Sequence, residues 1–153
     1  MTSVHPVADL TSHLGYWLRY VSNHVSHAFA LKLEGEGVTV AEWVFLRELY
    51  GRERLAPSLL ADRLGMSRGA ISKLSDRLVA KGLVEREANA SDARAHTLRL
   101  SPAGQALVPT LAALADKNDA EFFGHLTAAD RSQIERVMRD IVRRRNLRSH
   151  PVS

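Results

Sequence analysis

One stretch constrains this chain more than any other: residues 57–81 place a small residue, a glycine and a branched apolar residue at fixed offsets. Pro57 suits a first helical position, where its missing N–H would be unpaired anyway. A short helix is therefore expected to run to Leu64, with Gly65 breaking it. Ser67 can cap a second helix, expected to reach Lys81, with Gly82 closing it. Ala61, Gly65 and Ile71 then fall at helix-turn-helix spacing: a small residue lets two helices cross, a glycine turns the chain, and an apolar side chain plugs the gap. Leu60, Leu64, Leu74 and Leu78 complete the buried side.

The other side of the second helix suggests a partner. At about 100° per residue, the side opposite Ile71, Leu74 and Leu78 holds Gly69, Ser72, Lys73, Asp76 and Ala80. A DNA major groove admits a helix whose facing residues are small, polar or basic. Gly69 and Ser72 allow close approach; Lys73 can reach a guanine edge or a phosphate, and Arg68 can enter at the tip. Ser58 and Ser67 sit near helix N-termini, which favour a phosphate oxygen, and Arg77 adds to the basic set. Asp76 is the misfit and is expected to pair with Arg77 or Arg63 away from the groove. Charge distribution agrees. Residues 52–99 carry ten Lys/Arg against six Asp/Glu, while the rest is balanced at 11 against 11, so the whole net charge of +4 lies in the middle third. A local basic excess points to a polyanion.

Around this segment the pattern is helical. Leu10, Leu14, Trp17, Leu18, Val21, Val25, Ala28 and Phe29 recur at three- and four-residue steps, giving an amphipathic helix over 9–34 that glycines 35 and 37 end. Thr39 and Glu42 form a capping box for a helix to about Tyr50, burying Trp43, Leu46 and Leu49. Residues 83–86 and 97–100 read as strands, joined by a polar, projecting connection over 87–96. Ser101 and Pro102 start a long helix with Leu107, Leu111, Leu114, Asn118 and Phe122 on one face and a bend expected at Pro109. Thr127 caps a last helix striped by Ile134, Val137, Met138, Ile141 and Val142, and the tail from 146 is expected to fray. In the hairpin, Arg94 is the candidate for the minor groove, where negative potential concentrates. Asp92 can hold its guanidinium, and Arg86 and Arg99 are placed for phosphates.

Several functions are excluded or unexpected. The chain has no cysteine, which removes disulfides, thiol nucleophiles, thiol redox switches and cysteine-ligated zinc. No nucleophile–base pair or glycine-rich phosphate loop appears, so an enzyme is not expected, nor is a cofactor. No run of 18 apolar residues exists. Residues 1–10 lack a secretory pattern, so the cytoplasm is the default compartment. His13, Tyr16, Tyr20, His24 and His27 form a second stripe on the first helix. With Trp43 and with Arg47 as a carboxylate partner, Tyr16, Tyr20 and His24 are candidates for a pocket that takes an aromatic acid; interface packing explains the same stripe. His24 and His27 offer two metal ligands without a third, so no metal site is expected. The Arg143–Arg144–Arg145 run points three ways and is expected at an interface rim.

The run SRGAISKLSDRLVAKGLVERE followed by DARAHTLRLSPAG resembles the MarR family of winged-helix transcriptional regulators, and the resemblance extends over about 9–146. Its most specific part is Gly82-Leu83-Val84, Arg86, Asp92-x-Arg94 and Leu98-x-Leu100-Ser101-x-x-Gly104. The family commonly has two consecutive arginines after the aspartate; Ala93 replaces the first here, and Arg94 corresponds to the wing-tip arginine. The resemblance implies a mainly α fold with a small β-hairpin: a winged helix-turn-helix over 38–101 and a dimerisation region from 1–37 and 102–153. It implies a homodimer on a pseudo-palindromic operator in double-stranded DNA, acting as a repressor, with release by a small aromatic or phenolic ligand as in many members. A non-specific architectural DNA-binding protein and a winged-helix protein-interaction module remain as alternatives.

Overall fold

The computed structural model describes residues 6–89 and 92–147, with backbone alone for 89 and 92–95. Its elements are α1 (Leu14–Glu34), α2 (Val40–Leu49), α3 (Pro57–Leu64), α4 (Arg68–Ala80), β1 (Val84–Asn89), β2 (Asp92–Leu100), α5 (Pro102–Phe123) and α6 (Ala128–Arg144). This is the expected order and the expected class. Residues 148–153, most of the tail expected to fray, lie outside the described residues.

Local chemistry accounts for the boundaries. Helix α1 starts five residues later than its periodicity suggests, because His13 is extended (φ −96°, ψ 127°) and 10–12 form a separate 3-10 turn. The Trp17 indole N–H donates to the Thr11 carbonyl at 2.9 Å across that break. At the other end Gly37 takes a left-handed φ of 70°, and the Val38 N–H donates back to the Leu33 carbonyl. The Thr39–Glu42 capping box is present in both directions, at 3.0 and 3.1 Å. Ser67, Ser101 and Thr127 each accept a backbone N–H at α4, α5 and α6. Helix α5 runs through Pro109.

The core is one cluster that joins α2, α3, α4 and the hairpin to Leu33 of α1 and to Val108 and Leu111 of α5. Phe45, which periodicity passed over, is fully buried, whereas Trp43 is only partly so. Leu60, Ala61, Ile71, Leu74 and Leu78 are buried as the helix-turn-helix requires, and Gly65 is left-handed at φ 63°. Gly104 is constrained by close approach: a Cβ there would lie 2.2 Å from the Leu83 carbonyl oxygen, so only glycine lets α5 approach the start of the hairpin. A polar lock joins α1 to α5. Buried Asn118 donates to the Val25 carbonyl at 3.1 Å and accepts from Lys32 at 2.9 Å.

The hairpin corrects the expected connection. The strands are not confined to 83–86 and 97–100; pairing continues through Glu87↔Thr97 and Ala88↔His96 to an irregularity at Asn89, where Asp92 is the partner. Leu55 adds a third edge by exchanging two backbone hydrogen bonds with Leu98, at 2.8 and 2.9 Å. Two apolar faces stay uncovered in the single chain: Leu14, Trp17, Leu18 and Val21 on α1, and the whole α6 stripe, whose members are each 43–47% exposed.

Candidate nucleic-acid interface

Helix α4 presents the side that its sequence suggests. Arg68, Gly69, Ser72, Lys73, Asp76 and Ala80 are all exposed, while Ile71, Leu74, Ser75 and Leu78 are buried beneath. The Ser75 hydroxyl, which would otherwise be unpaired there, donates to the Ile71 carbonyl at 2.7 Å. Ser67 caps the helix through the Ala70 N–H, and exposed Ser58 lies in the first turn of α3. Among the described residues, neither Arg68 nor Lys73 has an acidic partner. Both side chains are therefore available to a phosphate or a base edge.

Two further basic residues at the C-terminal end of α4, Arg77 and Lys81, are tied down. Arg77 reaches Glu42 at 3.2 Å and the Thr39 hydroxyl at 3.4 Å. Lys81 donates to both carboxylate oxygens of Glu42, at 3.0 and 2.8 Å, and to the Gly37 carbonyl at 2.8 Å. Glu42 itself has no exposed surface. Burial pushes its carboxyl up, but the hydrogen bonds from Lys81, from the Thr39 backbone and hydroxyl, and from Arg77 together outweigh this and hold it below the ordinary 4.5. Sequence showed Glu42 only as a cap. In the folded chain it also fastens the C-terminal half of α4 to the α1–α2 turn.

Asp76 does not pair with Arg77 or Arg63. It forms an ion pair with Arg86 of β1, and Arg63 instead meets Glu48 at 3.3 Å. The reason is register. Val84↔Leu100 and Arg86↔Leu98 place Arg86 on the hairpin face that carries the buried Val84, Leu98 and Leu100, toward α4. On the opposite face Arg99 pairs with Glu85 at 2.9 Å. The backbone of Asp92 and Arg94 belongs to β2, and their side chains lie outside the described residues.

The candidate sensor residues fall into three groups. Tyr16, Tyr20 and His24 form a ladder along α1, with Tyr20 stacked on His24 at 5.0 Å. Trp43 meets Phe29 edge-on at 6.3 Å, and the Arg47 guanidinium lies over the Tyr50 ring at 5.7 Å. Two clefts are described. One is lined by His27, Leu31, Glu34 and 37–40, the other by residues of α5, the α5–α6 turn and α6; neither includes any of these five. In the C-terminal run, Arg143 and Arg144 both close on Asp140.

Comparison with known proteins places this geometry. Residues 36–95, covering α2 to the hairpin, match the model of the MarR family. A transcriptional regulatory protein for the hcr operon of Thauera aromatica is 25% identical over 136 residues, 88% of this chain and 82% of its own length. Among solved structures, a cysteine-to-serine variant of Escherichia coli MarR complexed with operator DNA superposes with a TM-score of 0.76 at 25% identity, covering 84% of this chain and 93% of that one. Bordetella bronchiseptica BpsR, whose DNA binding is regulated by 6-hydroxynicotinic acid, has the same fold with a TM-score of 0.78 at 21% identity, covering 89% and 97%. With six α-helices and a two-stranded wing among the described residues, the chain is similar to the winged-helix transcriptional regulators of the MarR family, whose model it matches from α2 into the hairpin.

Proposed function

We propose that the protein is a sequence-specific repressor that binds a pseudo-palindromic operator as a homodimer in the cytoplasm, with residues 38–101 as the DNA-binding unit and 1–37 with 102–153 as the dimerisation region. One observation carries this reading: α4 exposes Gly69 and Ser72 beside Arg68 and Lys73, two cations without an acidic partner among the described residues, next to a hairpin tied to the same helix. Small side chains let the backbone approach base edges, and free cations meet guanine or phosphate. The operator complex of the Escherichia coli relative supports a duplex as the partner. Ser58 and Ser67 are assigned to phosphates, Arg94 to the minor groove, and Asp92 to orienting Arg94. Arg77 and Arg86 have protein partners, and their assigned part is to set the pose of α4 and the wing.

Regulation, not catalysis, is the proposed activity, and an aromatic or phenolic acid is the proposed input. The ring ladder of Tyr16, Tyr20 and His24 supplies stacking surface, with Trp43 and Arg47 on the neighbouring helix. Such a ligand would have to bridge these groups between α1 and α2 or across two copies.

The test is a titration of the duplex upstream of the protein's own gene at fixed salt. Arg68→Ala and Lys73→Ala are each expected to weaken binding about tenfold without lowering the melting temperature, and Arg94→Ala to weaken it comparably. Unchanged affinity in all three would refute the assignment of α4 and the wing. Equal affinity for a random duplex would instead mark an architectural protein.

A further inference from the structure

Asp76 is the only acidic residue of α4, and it stands on the side that carries Gly69, Ser72 and Lys73. A carboxylate facing a polyanion lowers affinity for every duplex, so its position there calls for a physical reason. Its side chain is 65% exposed, so burial does not require it, and no backbone N–H is capped by it. Its partner is the Arg86 guanidinium, which register aims from the hairpin toward α4.

We infer that Asp76 is a specificity-determining residue that acts by neutralising and positioning Arg86 between recognition helix and wing. The inference rests on the DNA-binding reading above. Consider a random duplex first. It is held by general attraction between cations and phosphates, and each cation that is free to reach a phosphate adds to that attraction. Paired with Asp76, Arg86 contributes little net charge, and the exposed carboxylate repels nearby phosphates. Loose association is therefore weakened. Now consider the operator. Here α4 and the wing are seated together, and the ion pair fixes the angle between the two reading elements before DNA arrives. A pre-set pose reduces the ordering cost of the specific complex alone. One pair thus lowers the background and preserves the specific signal, which is the difference that sets specificity. The other pairs nearby cannot serve in this way. Arg99–Glu85 joins the two strands of the hairpin to each other, and Arg77–Glu42 joins α4 to α2.

The experiment is a salt-series titration of wild type, Asp76→Asn, Arg86→Ala and the double variant, on the operator and on a random duplex. In Asp76→Asn the freed Arg86 is expected to tighten random-duplex binding about threefold near 0.1 M salt and to steepen its log–log salt slope by about 0.9, one added phosphate contact. Operator affinity should stay level or fall by up to about threefold, so the ratio of the two affinities drops about three- to tenfold. In the Arg86→Ala background the steeper slope should be absent. A purely structural role would lower both affinities and the melting temperature and leave the slope alone; that result overturns the inference. So does an unchanged affinity ratio, or a slope change that persists without Arg86. If wild type itself binds neither duplex, the DNA-binding reading has failed and this inference with it, a result distinct from any produced by the variants.

Discussion

Met138→Glu combined with Ile141→Glu is expected to break the proposed dimer into single chains of 16.9 kDa and to remove the proposed operator binding. These two side chains lie at the centre of the α6 stripe, and each is nearly half exposed in the single chain. Ile134, Val137 and Val142 extend the same patch, and α1 offers Leu14, Trp17, Leu18 and Val21. Apolar surface of that extent is costly in water and marks an interaction site. Two glutamates placed in it would be buried without partners on association, a cost of several kcal/mol for each. One chain carries one α4 and one hairpin. A dimer engages two half-sites, and the second engagement is effectively intramolecular, which is worth about 10²–10⁴ in apparent affinity. Loss of the dimer should weaken operator binding by that order. Sedimentation and titration of the same sample check both parts, and a dimer that survives the substitutions would contradict the assignment of α6.

Glu42→Ala is expected to cost about 2–3 kcal/mol of stability, lowering the melting temperature by about 5–10 °C. The substitution removes the capping-box acceptor for the Thr39 N–H and leaves Lys81 and Arg77 without the carboxylate that holds them. Both cations are partly exposed and can turn to water, which keeps the loss below that of a fully buried ion pair. The pH dependence follows from the same geometry. The folded-state pKa of Glu42 is lowered below its ordinary 4.5. Its contribution is therefore complete above about pH 4.5 and is lost as pH falls through the lower folded value. Acid unfolding of wild type should steepen in that window, and Glu42→Ala should be flatter there. Identical acid limbs for the two proteins would show that the Glu42 cluster does not stabilise the fold.

Much of the fold could be read locally. Ala61, Gly65 and Ile71 specify the helix-turn-helix because each does a different steric task within a few residues. Ser67, Ser101, Thr127 and the Thr39–Glu42 box act within one helical turn, so spacing alone reveals them. What escaped was non-local. The polar turn-forming residues over 87–96 disguised a strand pair whose order comes from cross-strand hydrogen bonds. Leu55 carries no local strand signal, because its partner, Leu98, lies far along the chain. Arg77 seemed a natural partner for Asp76, but adjacent helical residues point about 100° apart, and the true partner arrives with the hairpin. Glu42 read as a cap because the cations that share it come from α4. In the candidate site, the exposed face of α4 followed from periodicity. Which of its cations are free depended on packing that only the structure displays.

In the proposed complex α4 enters the major groove, once from each chain of a dimer. The most direct measurement is a hydroxyl-radical and guanine-methylation footprint on the upstream region of the protein's own gene. Two major-groove patches about 10–10.5 base pairs apart, or a multiple of that, on one face of the helix are expected. Methylation interference should weaken in Lys73→Ala or Arg68→Ala. A footprint confined to the backbone, spread evenly along any sequence, with no protected guanine in the major groove, would contradict the account.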